Sequence, residues 1–148
     1  MKPLQFLPEA IDAMTRDALS SFPQECCGFL LGQESPSHRE IEEILEVDNR
    51  VESNAERRFS ISTHDYMKAE RRALATGLQL IGVYHSHPAH PAVPSIHDLR
   101  VALPTFSYVI ASVYADGLAA IRSWQLNENQ IFSEEPILNN IPISWQLS

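Results

Sequence analysis

The 148-residue chain carries 19 Asp and Glu against 11 Lys and Arg, a formal charge of −8 at pH 7. No basic stripe offers to follow a phosphate backbone, which argues against a nucleic-acid partner. An apolar fraction of 44% with 20% charged residues is ordinary for a folded protein and excludes a fibrous or wholly disordered chain. The length predicts one domain over residues 1–148. The N-terminus lacks the apolar core of a signal peptide, and no segment approaches the ~20 apolar residues of a membrane span, so the chain reads as full length, cytoplasmic and without a membrane partner. Cys26 and Cys27 are adjacent, and a bond between neighbours would be strained; two reduced, buried thiols are expected.

Pro8 and the helical spacing of Ile11, Met14 and Ala18 predict a first helix that ends before Ser20. Residues 25–32 form an apolar run bounded by Pro23 and Gly32, a central strand with one acid, Glu25, at its entrance. Residues 40–47 read as a second strand, residues 48–57 as loop and residues 59–61 as a short strand. The run Ser62-Thr63-His64-Asp65 then opens a second helix through Thr76, with Tyr66, Met67, Ala73 and Leu74 on its apolar stripe and Gly77 as a left-handed cap. A buried strand over residues 78–87 breaks at Pro88. A third helix is expected from Pro94 through Leu103, then a strand over residues 107–113, a hairpin at Asp116-Gly117, a strand over residues 118–125, a turn at residues 127–130 and a short strand near Ile131. Helices interleaved with hairpins, without a Gly-rich phosphate loop, predict an α/β or α+β domain built on a single sheet.

The segment from His85 to Asp98 holds four histidines and an aspartate. On a strand, residues i and i+2 share a face, so His85 and His87 can offer two imidazoles to one ion. Asp98, at the start of the third helix, can supply a carboxylate if the proline-rich loop reverses the chain. Two His and one carboxylate leave a fourth tetrahedral position open, as in a catalytic zinc site. Each part has a plainer explanation on its own: Ser95-x-x-Asp98 is an ordinary helix-capping pattern, and a lone His-x-His is often surface decoration. It is the combination that points to a metal. His90 and His97 stand outside this geometry and are expected not to be ligands. Proton transfer calls for a nearby carboxylate, and Glu25 at its buried strand entrance is the candidate. Tyr84 and Trp124 are aromatics at strand positions and read as core.

His85-Ser86-His87-Pro88, Ser95 and Asp98, with Glu25 in Pro23-Gln24-Glu25-Cys26-Cys27-Gly28, together resemble the JAMM, or MPN-plus, metalloprotease family, and the likeness extends over most of the chain. The resemblance implies one Zn2+ per chain held by His85, His87 and Asp98, a catalytic Glu25 that handles the proton of the attacking water, and Ser95 as an oxyanion donor. It also implies a curved mixed β-sheet flanked by helices, of the JAMM/MPN, cytidine-deaminase-like type. Family members cleave after the C-terminal Gly-Gly tail of ubiquitin-like proteins, whose extended tail can dock by adding a strand beside the cleft. The short chain resembles the compact prokaryotic branch, which implies a sulfur-carrier protein as partner and release of cysteine or a peptide adduct. Two other classes stay open: a non-catalytic zinc-containing module that binds a ubiquitin-like partner, and a different zinc hydrolase such as a deaminase, whose paired-cysteine ligand motif is absent here.

Overall fold

The computed structural model describes residues 2–48, 61–96, 98 and 102–139. In chain order its elements are β1 (Leu4–Phe6), α1 (Pro8–Ser21), β2 (Cys27–Glu34), β3 (Arg39–Val47), α2 (Thr63–Thr76), β4 (Gln79–Pro88), β5 (Ser107–Tyr114), β6 (Gly117–Leu126) and β7 (Phe132–Glu135). Their order in one seven-stranded sheet is β1-β3-β2-β4-β5-β6-β7. The pairs β1/β3 and β4/β5 are parallel and the others antiparallel, so the sheet is mixed, with β4 at its centre.

The sheet curls until its outer strands meet. The Leu4 N–H donates to the Pro136 carbonyl, the Leu138 N–H donates to the Leu4 carbonyl, and the Asn139 side-chain amide closes both hydrogen bonds of Phe6. This bracing explains the three-residue β1, which no hydrophobic run announces and which the sequence analysis leaves out. Inside the curl lies α1, its Ile11, Met14 and Ala18 buried as expected, among Leu4, Phe6, Leu30, Tyr84, Val109 and Leu118. The Tyr84 hydroxyl donates to Asp17 of α1 at 2.8 Å, and its ring lies over Gly28 where any side chain would collide with it. Tyr84 is core, as read.

The other face carries α2 over Phe29, Leu31 and Val83. The helix has the expected limits: a reciprocal Ser62/Asp65 capping box opens it, and Gly77, at φ 71°, closes it in the left-handed region. Its buried face is narrower than the expected stripe. Ala69 and Ala73 make the contact with Tyr66 beside them, whereas Met67 and Leu74 are 45% and 84% exposed. Residues 66, 69 and 73 follow one helical ridge, and the small alanines bring the helix close enough that 67 and 74, about 100° round, face outward.

Other boundaries differ from expectation: α1 runs on to Ser21 rather than ending before Ser20, and β2 spans Cys27–Glu34 rather than residues 25–32. Ile96 and Asp98 are helical, but Ala102 and Leu103 are not, so the third helix stops short of Leu103; Pro104 disfavours helical backbone at the residue before it. Ile61 is not in a strand, and Phe59 and Ser60, like residues 49–57 of the loop expected over 48–57, lie outside the described residues.

At the end of the sheet away from the end of β4, Arg39 is buried among fixed acceptors. It donates to Ser107 Oγ at 2.6 Å and to the carbonyls of Ile81 and Thr105, and it pairs with Glu34 at 3.1 Å and, at 3.7 Å, with the buried Glu135. Glu135 in turn accepts from Ser123 and Gln125, so one guanidinium ties β3, β4, β5 and β7 together. Removing one member of a buried charged network strands the others. Arg39→Ala is therefore expected to lower unfolding free energy by about 3–5 kcal/mol in urea titration; a loss below ~1 kcal/mol, as for surface ion pairs, would show that the network does not carry the sheet.

Candidate metal centre and cleft

Pairing of β2 with β4 sets the site. Cys27 is in register with His85, and one step beyond it the Ser86 N–H donates to the Cys26 carbonyl at 3.1 Å while the Cys26 N–H donates to Ser86 Oγ at 2.9 Å. Strand alternation turns His85 and His87 to the face that carries α2 and buries Ser86 on the other. Glu25, two residues before Cys27, falls beside His87 on the same face and is only 3% exposed.

The chain leaves β4 at Pro88 and reverses through Ala89, whose φ is 57°, and the Ala89 N–H is caught by the Val113 carbonyl at 2.7 Å. The loop then delivers Ser95 and Asp98 as a capping pair: the Ser95 N–H donates to Asp98 Oδ2 at 2.7 Å and the Asp98 N–H to Ser95 Oγ at 3.1 Å. The capping and ligand readings of Asp98 are compatible. Its Oδ1 lies 3.2 Å from His85 Nε2 and its Oδ2 3.2 Å from His87 Nε2, and the two Nε2 atoms are 3.0 Å apart.

These separations bring two imidazole nitrogens and the two oxygens of one carboxylate together at mutual distances suited to a single ion. Donors ~2.0–2.1 Å from a common tetrahedral centre lie about 3.3 Å apart, so the donor set and its spacing fit a zinc-sized cation. His87 Nδ1 faces the Pro91 carbonyl at 2.8 Å; a carbonyl can only accept, so Nδ1 carries the hydrogen and neutral His87 presents a bare Nε2 to the centre. Among the described residues, His85, His87 and Asp98 form a group that could hold a metal ion; His90 is not part of it, and His97 lies outside the described residues.

The electrostatics of these groups are coupled. Burial would raise the Asp98 pKa, but the His85 charge and hydrogen bonds from His85, His87 and the Ser95 N–H outweigh it and hold the carboxyl well below the usual carboxylate range. Burial would lower His87, yet the hydrogen bonds to Asp98 and Pro91 raise it, so a metal must displace a proton here. Glu25 goes the other way: burial, aided by the Asp98 charge and opposed by that of His87, lifts its pKa to about 8. The neighbouring thiols are buried and free, with Cys27 pushed up to about 12 by burial, so they stay protonated and unreactive.

A cleft of about 390 Å³ opens over the centre, lined by Glu25, His87, Pro88, His90, Pro91, Val93, Pro94 and Ser95. Ser95 Oγ accepts the Asp98 N–H and keeps its own hydrogen to donate into the cleft. The exposed His90 shares that lining, a placement the sequence pattern left undecided. Trp124 is half-buried and packs against the core beneath α2, in keeping with the core reading, and its indole N–H also donates to the Ala92 carbonyl at 3.1 Å. Nothing local to Trp124 signals this, because the partner is 32 residues away.

The family model described as prokaryotic homologues of the JAB domain matches residues 7–127. The chain belongs to that family. Among curated proteins, this JAB-domain chain is 30% identical over 120 residues to the desampylase of Pyrococcus furiosus, covering 81% of this chain and 79% of that one. It is 29% identical over 126 residues to a probable TtuB-protein conjugate cleaving protease of Thermus thermophilus (84% and 78% covered) and 27% identical over 133 residues to the CysO-cysteine peptidase of Mycobacterium tuberculosis (87% and 86%). A solution structure from Desulfitobacterium hafniense matches with a TM-score of 0.80 at 27% identity over 91% of both chains. A JAB1/MPN domain protein from Archaeoglobus fulgidus, at 15% identity and a TM-score of 0.57 over 94% of this chain and all of that one, shares the fold. The curved mixed sheet flanked by helices is thus the JAB1/MPN architecture. Among the described residues no helix is long and apolar enough to cross a membrane.

The raised pKa of Glu25 has a consequence for the metal-free JAB domain. Below about pH 4.5 the carboxyl is protonated in folded and unfolded chains alike; as pH rises towards 8 the unfolded chain releases the proton first, so folding loses stability across that window. Glu25→Gln in chelator is therefore expected to melt about 5–15 °C above wild type at pH 8, the gap closing towards pH 4.5. Equal melting temperatures at pH 8 would contradict the burial assigned to this carboxylate.

Proposed function

We propose that the chain is a zinc metallopeptidase, or isopeptidase, that hydrolyses the bond following the C-terminal Gly-Gly of a ubiquitin-like protein of the sulfur-carrier type, releasing cysteine or a peptide adduct. The observation that carries this reading is the convergence of His85, His87 and Asp98 beside a buried Glu25 at the floor of an open cleft. The relatives named for cleaving TtuB-protein conjugates and for CysO-cysteine peptidase activity support a conjugate as the substrate class. The reading treats the chain as one catalytic domain with one zinc.

When bound, zinc supplies Lewis acidity, which polarises a carbonyl and lowers the pKa of water to about 7. The chain's own residues do the rest. Glu25, buried beside His87, takes a proton from the attacking water and returns it to the amine as the carbon–nitrogen bond breaks. Ser95 donates its hydroxyl hydrogen to the carbonyl oxygen as charge develops there. The apolar wall of Pro88, Pro91, Val93 and Pro94 confines an extended, small-residue tail next to Glu25.

The test is hydrolysis of a sulfur-carrier protein extended beyond its Gly-Gly, with zinc content measured on the same samples. Glu25→Gln is expected to keep one zinc and lose about 10²–10⁴-fold in turnover, while His87→Ala loses the metal. Full turnover by Glu25→Gln would sink the mechanism; tight carrier binding without cleavage by wild type would replace it with the non-catalytic binding module.

A further inference from the structure

The loop between β4 and Asp98 has to be held still for three side chains to meet, and it contributes little packing of its own. Three hydrogen bonds from the β5–β6 hairpin do the holding. The Val113 carbonyl takes the Ala89 N–H, Ser112 Oγ donates to the His90 carbonyl, and the Trp124 indole N–H donates to the Ala92 carbonyl at 3.1 Å. Ala92 is itself buried, at 2% exposure, and it directly follows Pro91, whose carbonyl orients His87.

The indole is fixed from outside as well. The Arg122 guanidinium lies over the Trp124 ring, 4.8 Å from its centroid, and is gripped by both carboxylate oxygens of Glu134 at 2.9 and 2.6 Å. A continuous set of contacts thus runs from β7 through Arg122 and Trp124 to the Ala92 and Pro91 carbonyls and on to His87. Groups that orient metal ligands from behind affect affinity although they never touch the ion.

We infer that Trp124 and Ser112 are positioning residues of the candidate metal centre, which set His87 and the Ser95–Asp98 turn by clamping the carbonyls of Ala92 and His90. The inference rests on the zinc reading above but goes beyond it, since neither residue belongs to the ligand set, the acid/base or the oxyanion donor. Trp124→Phe keeps an aromatic ring and removes the N–H; Ser112→Ala removes one hydroxyl and covers the case in which the tryptophan variant does not fold.

Zinc affinity of the full chain is read by competition with a chromophoric chelator, alongside thermal melting and amide hydrogen exchange of the metal-free proteins. Each variant is expected to bind zinc about 10-fold more weakly, to exchange the amides of residues 89–93 faster, and to melt close to wild type. Affinities within two-fold of wild type in both variants would overturn the inference, as would a loss that accompanies faster exchange over the whole sheet. A wild type that binds no zinc would remove the zinc reading itself, and the positioning role with it; that result is distinguished because it appears before any substitution is made.

Discussion

Everything at the site depends on where two strands stop being paired. The antiparallel β2/β4 pairing ends at Cys26 and Ser86, where the Ser86 N–H donates to the Cys26 carbonyl and the serine hydroxyl accepts the Cys26 N–H. Continued one residue further, the register sets Glu25, two residues before β2 begins, opposite His87 on the same face. The ladder therefore fixes the acid relative to the imidazoles to within the precision of a β-sheet, while the cleft opens where the ladder ends. Rigid elements place reacting groups better than loops do, and here two of the three candidate ligands and the acid are all strand or strand-end residues. Only Asp98 stands at a helix start that follows a loop, and that loop is clamped from behind.

The cost of this arrangement is electrostatic. Asp98 is buried yet held ionised by His85, His87 and the Ser95 N–H, whereas burial lifts the Glu25 pKa to about 8 against the opposing charge of His87. Two carboxyls pushed in opposite directions by their surroundings are what acid/base chemistry at neutral pH requires. The compensating rigidity lies at the far end of the sheet, where the buried Arg39 gathers the buried Ser107 and Glu135 and also pairs with the exposed Glu34.

Features written in local spacing were legible in the chain. His85-x-His87 needs only strand alternation, the Ser62–Asp65 and Ser95–Asp98 boxes need only one helical turn, and Gly77 needs only its left-handed cap; each appears where the sequence places it. What the sequence hides is set by partners far along the chain. β1 is held by residues 136–139, the Arg39 network spans β3 to β7, and Trp124 finds Ala92 across the loop. The α2 stripe failed for the same reason: hydrophobicity picks Met67 and Leu74, but the close approach of the sheet selects Ala69 and Ala73. The four histidines of residues 85–97 show both sides, since two are assigned by spacing and His90 acquires its place in the cleft only through the fold.

The central claim is that two imidazoles and one carboxylate of this chain hold a single zinc in an open site. X-ray absorption at the zinc edge on the reconstituted protein tests it most directly. The account predicts a shell of nitrogen and oxygen donors at ~2.0–2.1 Å containing two imidazoles, without sulfur. A sulfur shell at ~2.3 Å would bring Cys26 or Cys27 into the site, and four imidazoles would bring in His90 and His97; either would contradict the assignment of His85, His87 and Asp98.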